Sequence, residues 1–377
     1  MSVVEVYCDP SIGGFSGSGT IGDPYTQIQW AVNNTTIPGT GTFSTRLNIK
    51  SGALHSLGSE LQNLPSTIST RPFIIEGYDS VAGDGGRAQI NCGGAFIDQT
   101  NQDHIHIANL DIFCDTADHA IHLDRNCSIH NCYIQQDGNG GLMYIDNGTT
   151  VSDCYLVDTR VAGFRPGIQA QSSSNVKVMN CVIDYMGNSY LTQDVDAYGC
   201  VGIIRSTLGT GFRLGNKGVA IGNIVANVNA GPNTNHGISL QNQDGTFVVK
   251  DNYIEGFDGG AAIHVQSSKP SSVLMVNNHY HNCGDAVDQT SGPWSYGFST
   301  HFAEPTLHAS SLLTDSAGGD YSLNEASIRD GFVNPGGADV MSLYTMRHLF
   351  DDTFGGGGGG GGGSTTTDAS VRFVRLK

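Results

Sequence analysis

Charge is scarce in this chain. Asp, Glu, Lys and Arg together make up 14% of its 377 residues, against roughly 25% in an ordinary soluble domain. The balance is acidic, with 35 Asp+Glu over 18 Lys+Arg and a formal net charge of −17. No Lys/Arg cluster interrupts it, so a nucleic-acid backbone is excluded as an expected partner. No apolar run approaches the roughly 18 to 20 residues of a membrane-spanning helix. The opening residues, Met1-Ser2-Val3-Val4-Glu5-Val6, have neither the basic start nor the apolar core of a secretory signal. Cysteine numbers nine, an odd count with no Cys-x-x-Cys pair. That removes the zinc-finger and thioredoxin patterns and leaves no disulfide framework to expect.

Glycine, by contrast, is in excess at 52 residues. Nine of them form one run, Gly355 to Gly363, and 52 − 9 leaves 43 dispersed through the rest. The dispersed ones keep no three-residue period, so collagen is excluded. A hydrophobic content of 38%, with 14 Tyr and 15 Phe, is enough for a core.

What the chain does have is a repeat. An apolar residue, a spacer, Asn or Asp, then Cys, Asn or Leu, recurs ahead of a short apolar stretch. It reads Ile107-Ala108-Asn109-Leu110-Asp111-Ile112, Ile129-His130-Asn131-Cys132-Tyr133-Ile134, Val151-Ser152-Asp153-Cys154-Tyr155-Leu156 and Val178-Met179-Asn180-Cys181-Val182-Ile183. Looser copies start at Ile221, Val249 and Val276. With Leu110, Cys132, Cys154, Cys181, Ile224, Asn252 and His279 as one station, the intervals are 22, 22, 27, 43, 28 and 27. The interval of 43 has room for two short units.

A second phrase precedes the first: Ala120-Ile121-His122-Leu123, Gly167-Ile168-Gln169-Ala170, Gly237-Ile238-Ser239-Leu240 and Ala262-Ile263-His264-Val265. Each is a short alternating strand followed by turn-forming residues. Several short strands per repeat, with no helix between them, describe one coil of a parallel β-solenoid. Equivalent strands then stack about 4.8 Å apart. Stacked Asn residues at one turn are expected to bond in a ladder. Cys132, Cys154 and Cys181 are expected to point inward as small hydrophobes, since parallel Cβ vectors are poor disulfide geometry.

These features resemble the right-handed parallel β-helix proteins of the pectate-lyase-like superfamily. The ends carry the closest likeness. Tyr7-Cys8-Asp9-Pro10, Gly17-Ser18-Gly19-Thr20 and Gly22-Asp23-Pro24-Tyr25-Thr26-Gln27-Ile28-Gln29-Trp30-Ala31-Val32 look like that family's opening strand, glycine loop and capping helix. Asp23 is the expected N-cap and Pro24 the expected first helical residue, with Ile28, Ala31 and Val32 on the inner face. Asp320-Tyr321-Ser322-Leu323 and Ser327-Ile328-Arg329-Asp330-Gly331 are similar to the closing coil. The expectation is all-β: a right-handed single-stranded parallel β-helix of roughly eleven coils, with an N-terminal capping helix and a short C-terminal appendage. Its parts are residues 1–44 for strand, glycine loop and capping helix, 45–335 for the β-helix, and 336–354 for a connector. A polyglycine linker at 355–364 and a strand-like tail at 365–377 complete it.

The fold does not dictate the chemistry, because it hosts lyases, hydrolases, epimerases and inert viral spikes. A uronate lyase needs a basic residue and, as a rule, Ca²⁺ held by carboxylates. Arg165-Pro166-Gly167 resembles the Arg-Pro pair of pectate lyases, and Asp194 and Asp196 are the matching cation candidates. Polygalacturonase-like hydrolases pair two carboxylates across the glycosidic bond. Asn235-His236-Gly237 looks like their Gly-His-Gly strand, but the acidic motifs that should accompany His236 are missing. A hydrogen-bonded strand residue is the competing role for His236. His104 with His106, and His279 with His281, would share strand faces, while His119 and His122 would not. No third ligand follows at a fixed spacing, so no metal and no cofactor is expected, with Ca²⁺ confined to the lyase alternative. The 13 histidines read as solvent-facing strand residues. Tyr185, Tyr190, Tyr198, Trp294 and Tyr296, where exposed, are candidates for stacking on sugar rings.

The tail ends Val371-Arg372-Phe373-Val374-Arg375-Leu376-Lys377. Val371, Phe373, Val374 and Leu376 make a short apolar strand suited to adding to a neighbouring subunit's sheet edge. The composite expectation is a structural or adhesive component of a virion or other extracellular assembly. Its partners are protein subunits and, as a second candidate, a polysaccharide. A polysaccharide-degrading enzyme and a non-catalytic carbohydrate-binding module are the alternatives.

Overall fold

The computed structural model describes residues 2–12, 17–34, 43–57, 60–61, 64, 72–94, 97–99, 103–159, 165–171, 175–215, 217–229, 231–241, 246–266, 272–289, 305–315 and 320–323. A single corner residue sets the shape of its coils. Asn109, Asn131, Asp153, Asn180, Asp251 and Asn277 all sit in the left-handed region, at φ between 51° and 57°. In the two coils between Asn180 and Asp251 the same corner is taken by Gly199 and Gly222, at φ 60° and 68°. Most L-residues avoid this conformation at a cost of about 1–2 kcal/mol, whereas Asn, Asp and Gly enter it readily. The chain therefore turns on one residue, and the strand Ile105–Ala108 passes into Leu110–Cys114 with only Asn109 between.

Repetition of that corner builds a right-handed parallel β-helix. One eleven-stranded sheet begins with Ser2–Cys8 and ends with Ser272–Val276, and a second runs from Leu54–Ser56 to Thr306–Leu307. A third, nine-stranded sheet runs from Ile97–Gln99 to Asp285–Gln289. Every neighbouring pair within these three sheets is parallel. Nine coils contribute a strand to all three sheets. That is fewer than the roughly eleven coils expected, because strands at both ends, Ser2–Cys8, Phe43–Lys50 and Leu54–Ser56 at the start and Thr306–Leu307 at the finish, have no counterpart in the third sheet.

The core runs the length of the solenoid and is filled by alternate strand residues. Cys132, Cys154 and Cys181 lie stacked within it at 0% exposure, with Cys200 at 1%. All nine cysteines are free thiols. Burial pushes the thiols of Cys8 and Cys127 up to about 12, as expected of inert packing groups.

Register corrects the repeat in two places. Val182, Val201, Ile224, Tyr253 and His279 pair in succession, so the residues equivalent to Cys181 are Cys200, Asn223, Asn252 and Asn278. Ile224 and His279 belong one position later. At Ile224 the cause is Gly222 in the corner, which makes Asn223 look like the corner asparagine, and at His279 it is the pair Asn277-Asn278, of which the first is the corner. The interval of 43 does hold two units, divided at Cys200.

Both ladders form. At the surface corner, Asn131 Nδ2 donates to Asn109 Oδ1 at 2.7 Å and Asn277 Nδ2 to Asp251 Oδ1 at 2.7 Å. Inside, Asn223 Nδ2 donates to Asn252 Oδ1, and Asn252 Nδ2 to Asn278 Oδ1, both at 2.9 Å. The cysteine stack is thereby continued by a buried amide stack.

Ahead of the coils lies the helix Ile28–Asn34, with Ile28, Ala31 and Val32 buried. Asp23 does not cap it. The helix starts at Ile28 and Ala31 N–H donates to Gln27 O at 3.0 Å, while the Asp23 carboxylate accepts from Ser18 N–H at 2.9 Å. Asp23 closes the glycine loop instead. The connector, polyglycine and terminal tail, including Val371, Phe373, Val374 and Leu376, lie outside the described residues. No helix among the described residues is long and apolar enough to cross a membrane.

The outer faces differ. On the second sheet an apolar strip (Tyr133, Tyr155, Val182, Val201, Ile203, Ile224, Ala226 and Tyr253) clusters with Leu312 and Leu313 and is buried. The segment carrying those leucines is anchored by Leu312 N–H donating to Tyr253 Oη at 2.9 Å and by Ser311 bonding to Glu255. The nine-stranded sheet has the opposite character.

Candidate functional site

In the nine-stranded sheet, Ile121–Leu123, Met143–Ile145 and Ile168–Ala170 have buried ends and a part-exposed middle residue, whereas Ile238–Leu240 and Ala261–Val265 are buried throughout. Their outward residues stack in register: Asp98 on His122, His122 on Tyr144, Tyr144 on Gln169, and Gln169 on Gln193. The row continues with Arg213, Ser239, His264 and Asp288. Nine residues at about 4.8 Å per strand give an unbroken row roughly 38 Å long. It contains no aliphatic side chain.

Contacts gather into two groups. At the first end, His122 Nδ1 lies 3.4 Å from Asp98 Oδ1 and its ring meets Tyr144 edge-on at 4.8 Å. His119 also reaches Tyr144, with ring centroids 5.3 Å apart. His119 and His122 therefore do converge, against expectation, because His119 lies in the turn before the strand and is not bound by strand alternation. Asp118 joins them, with its Oδ1 3.2 Å from His119 Nδ1 and 2.8 Å from Arg165 Nη1. Gln136 holds this turn, its Nε2 donating to Asp118 O at 2.9 Å. The next coil crosses so closely that a Cβ on Gly140 would lie 1.4 Å from Asp118 O, so only glycine fits there.

At the other end, Tyr190 packs beside Arg213, whose guanidinium lies 5.0 Å from the ring centre. Arg213 Nε is 3.8 Å from Asp194 Oδ1. Gln241 Nε2 donates to Tyr190 Oη at 3.3 Å and Ser239 Oγ at 3.2 Å. Beyond them His264 Nδ1 lies 3.2 Å from Asp288 Oδ2. The rings of His236 and His264 stack at 3.9 Å and 6°, and Ala261 N–H donates to His236 Nδ1 at 3.3 Å.

Burial sets the protonation of these histidines. Desolvation lowers His119 and His236 to about 4 each. His119 is further affected by its Asp118 bond, which pulls upward, and by Arg165, which pushes down. His264 also pushes His236 down. At neutral pH both rings are neutral and able to accept a bond.

The sequence candidates separate. Arg165, Asp194, Tyr190 and His236 fall on or beside the polar row. Asp196 and Tyr198 lie on a strand of the first eleven-stranded sheet, and the Asp196 carboxylate accepts from Val219 N–H at 2.8 Å. Tyr185 is fully buried. It anchors the turn through Oη donating to Arg165 O at 2.8 Å, so it offers no ring to a sugar. Trp294 and Tyr296 lie outside the described residues. The histidines are not all solvent-facing, since His55, His119, His264 and His279 are buried. Asp288, on the next coil, comes close to His236 and His264, with the potential ligand atoms of the three all within 4.8 Å of one another. Sequence reading missed Tyr144, Gln193, Arg213 and Asp288. Aligning the short alternating strands to the end of the chain was the available signal.

The family model described as right handed beta helix region matches residues 121–303. No curated protein matches the sequence. Among solved structures, a GH136 lacto-N-biosidase from Eubacterium ramulus is similar at a TM-score of 0.44 and 10% identity, covering 81% of this chain and 68% of that one. A rhamnogalacturonan lyase is similar at 0.41 and 12%, covering 82% and 87%. The surface protein and adhesin PfbA of Streptococcus pneumoniae is similar at 0.32 and 11%, covering 79% and 98%.

Proposed function

From a right-handed parallel β-helix with one long polar face, we propose a glycan-binding, adhesive surface protein that holds an extended saccharide along the nine-stranded sheet. The part-exposed stretch of the in-register row, from His122 through Tyr144, Gln169 and Gln193 to Arg213, carries this reading. Its amides, imidazole and phenol match the alternating hydroxyl donors and acceptors of a sugar chain, and Tyr144 supplies an aromatic surface. Neutral glycans fit better than polyanions. The chain carries −17 overall, and Arg213 is already beside Asp194 and Tyr190.

A glycan array followed by titration calorimetry tests it. Arg213→Ala and Tyr144→Ala are each expected to weaken binding about ten- to thirtyfold, the equivalent of roughly 1.4–2 kcal/mol. No retained glycan, or unchanged affinity in the double variant, would sink the proposal.

A hydrolase remains the competing reading because His264–Asp288 and His119–Asp118 are oriented imidazole–carboxylate pairs. The row's own carboxylates argue against it. Asp98 and Asp288 stand at its two ends, roughly 38 Å apart, whereas glycosidic carboxylate pairs lie within about 10 Å. Release of reducing ends, or of unsaturated uronate absorbance with or without Ca²⁺, distinguishes the enzyme from the adhesin.

The assembly role rests on the tail sequence. Deleting residues 355–377 is expected to leave the β-helix folded but abolish oligomerisation. An unchanged sedimentation coefficient per chain mass would remove that part of the proposal.

A further inference from the structure

We propose that His236, His264 and Asp288 form a binding site for a divalent transition-metal ion of the zinc type. The three come from successive coils. His236 stands just before Ile238–Leu240, His264 lies within Ala261–Val265, and Asp288 within Asp285–Gln289. Each offers one ligand atom, and these atoms all lie within 4.8 Å of one another. Ligands around a tetrahedral zinc, at about 2.0–2.1 Å from the metal, are roughly 3.4 Å apart. Side-chain movement of about an ångström, together with rotation of one imidazole, would close the set. It is the one such group among the described residues.

The arrangement has features that a simple hydrogen-bonded cluster does not require. His236 and His264 stack at 3.9 Å with planes 6° apart, which brings two imidazoles together, and a shared ion requires one ring to rotate out of the stack because a ligating nitrogen points at its metal within the ring plane. The His236 Nδ1 contact to Ala261 N–H is long, at 3.3 Å, and readily exchanged for an ion. His264 and Asp288 face each other in register, so the backbone holds them together. Two imidazoles and one carboxylate suit Zn²⁺, Ni²⁺ or Co²⁺, whereas Ca²⁺ and Mg²⁺ require all-oxygen shells. Three protein ligands leave a coordination position open, and the Asp288 side chain is 45% exposed. The ion would tie three coils together at the far end of the polar row.

Titration calorimetry of the chelator-stripped full chain with ZnCl₂ tests the site independently of any glycan. One equivalent is expected to bind, with Tm rising by roughly 3–5 °C at a hundredfold excess over Kd. His264→Ala should abolish binding, Asp288→Asn should weaken it about tenfold or more, and His130→Ala should leave it intact. Co²⁺ should give visible d–d bands that disappear in His236→Ala. If His264→Ala fails to fold by circular dichroism, the half-exposed Asp288→Asn decides. The proposal is overturned if the wild type takes up no Zn²⁺ at tens of micromolar. It is equally overturned if the His236, His264 and Asp288 variants bind like the wild type.

Discussion

Lowering the pH from 7.5 to 4.5 is expected to strip several kcal/mol of stability from the protein. His55, His106, His119, His236, His264 and His279 all have pKa values lowered, first of all by burial. At pH 7.5 these rings are neutral in both folded and unfolded chains, so none penalises folding. As pH falls below about 6.5 the unfolded chain takes up protons that the folded chain refuses, and stability drops until the folded value is reached. For His119 that window runs from 6.5 to about 4. Each pH unit within it is worth about 1.4 kcal/mol, so His119 alone removes up to about 3 kcal/mol. His130 opposes the trend, because its bond to Asp153 raises its pKa, but its side chain is 54% exposed and its effect is small. Near the end of the solenoid, His279 Nδ1 lies 2.8 Å from His308 Nε2. Adding protons to both would set two charges against each other and loosen the covering segment there. Urea midpoints measured at pH 7.5, 6.0 and 4.5 should fall steadily, and His119→Phe should flatten the fall. A midpoint constant across that range would contradict the assigned burial.

Asn252→Ala is expected to be among the most destabilising single substitutions, at about 3–5 kcal/mol. Its Nδ2 donates to Ala220 O and Asn278 Oδ1, both at 2.9 Å. Its Oδ1 accepts from Asn223 N–H at 3.0 Å and Asn223 Nδ2 at 2.9 Å. Alanine removes all four bonds in a layer at 0–1% exposure, leaving Asn223 N–H without its acceptor, while Asn278 Oδ1 keeps only the Asn252 N–H and Asn223 Nδ2 only Ala197 O. A buried polar group left without a partner costs about 1–3 kcal/mol, and adjacent losses in one network add imperfectly. Asn252→Leu is no rescue, since it fills the volume but leaves the same donors and acceptors unmet. Chemical denaturation of the two variants checks this. A loss below about 1 kcal/mol in Asn252→Ala would mean that the amide stack contributes little.

The fold was legible because its defining constraint is local. A residue that must enter the left-handed region narrows to Asn, Asp or Gly, and Asn109, Asn131, Asp153 and Asn180 announce it one coil after another. Where glycine took the corner the phrase blurred, hiding the coil at Gly199 and shifting the alignment by one at Gly222, and the doubled Asn277-Asn278 shifted it again. The polar row was harder to see. Arg213, Ser239, His264 and Asp288 are separated by 26, 25 and 24 residues, but Gln193 precedes Arg213 by only 20. Loop lengths at the other corners vary, so no fixed spacing links the row's members; only strand register does. His119 shows a second limit, because a residue outside the strand does not obey the strand's alternation. Tyr185 shows a third, since sequence alone does not distinguish an aromatic exposed for stacking from one that, like this, is the loop's buried anchor.

In-register stacking makes the outer row behave as a graduated scale. Each coil advances it by one division of about 4.8 Å, and no coil can advance it by a fraction. Inserting or deleting one whole coil would lengthen or shorten the face by a single division, while every other side chain kept its neighbours. The length of this surface is therefore quantised. A change of length at a loop between strands alters what overhangs the scale without moving its marks.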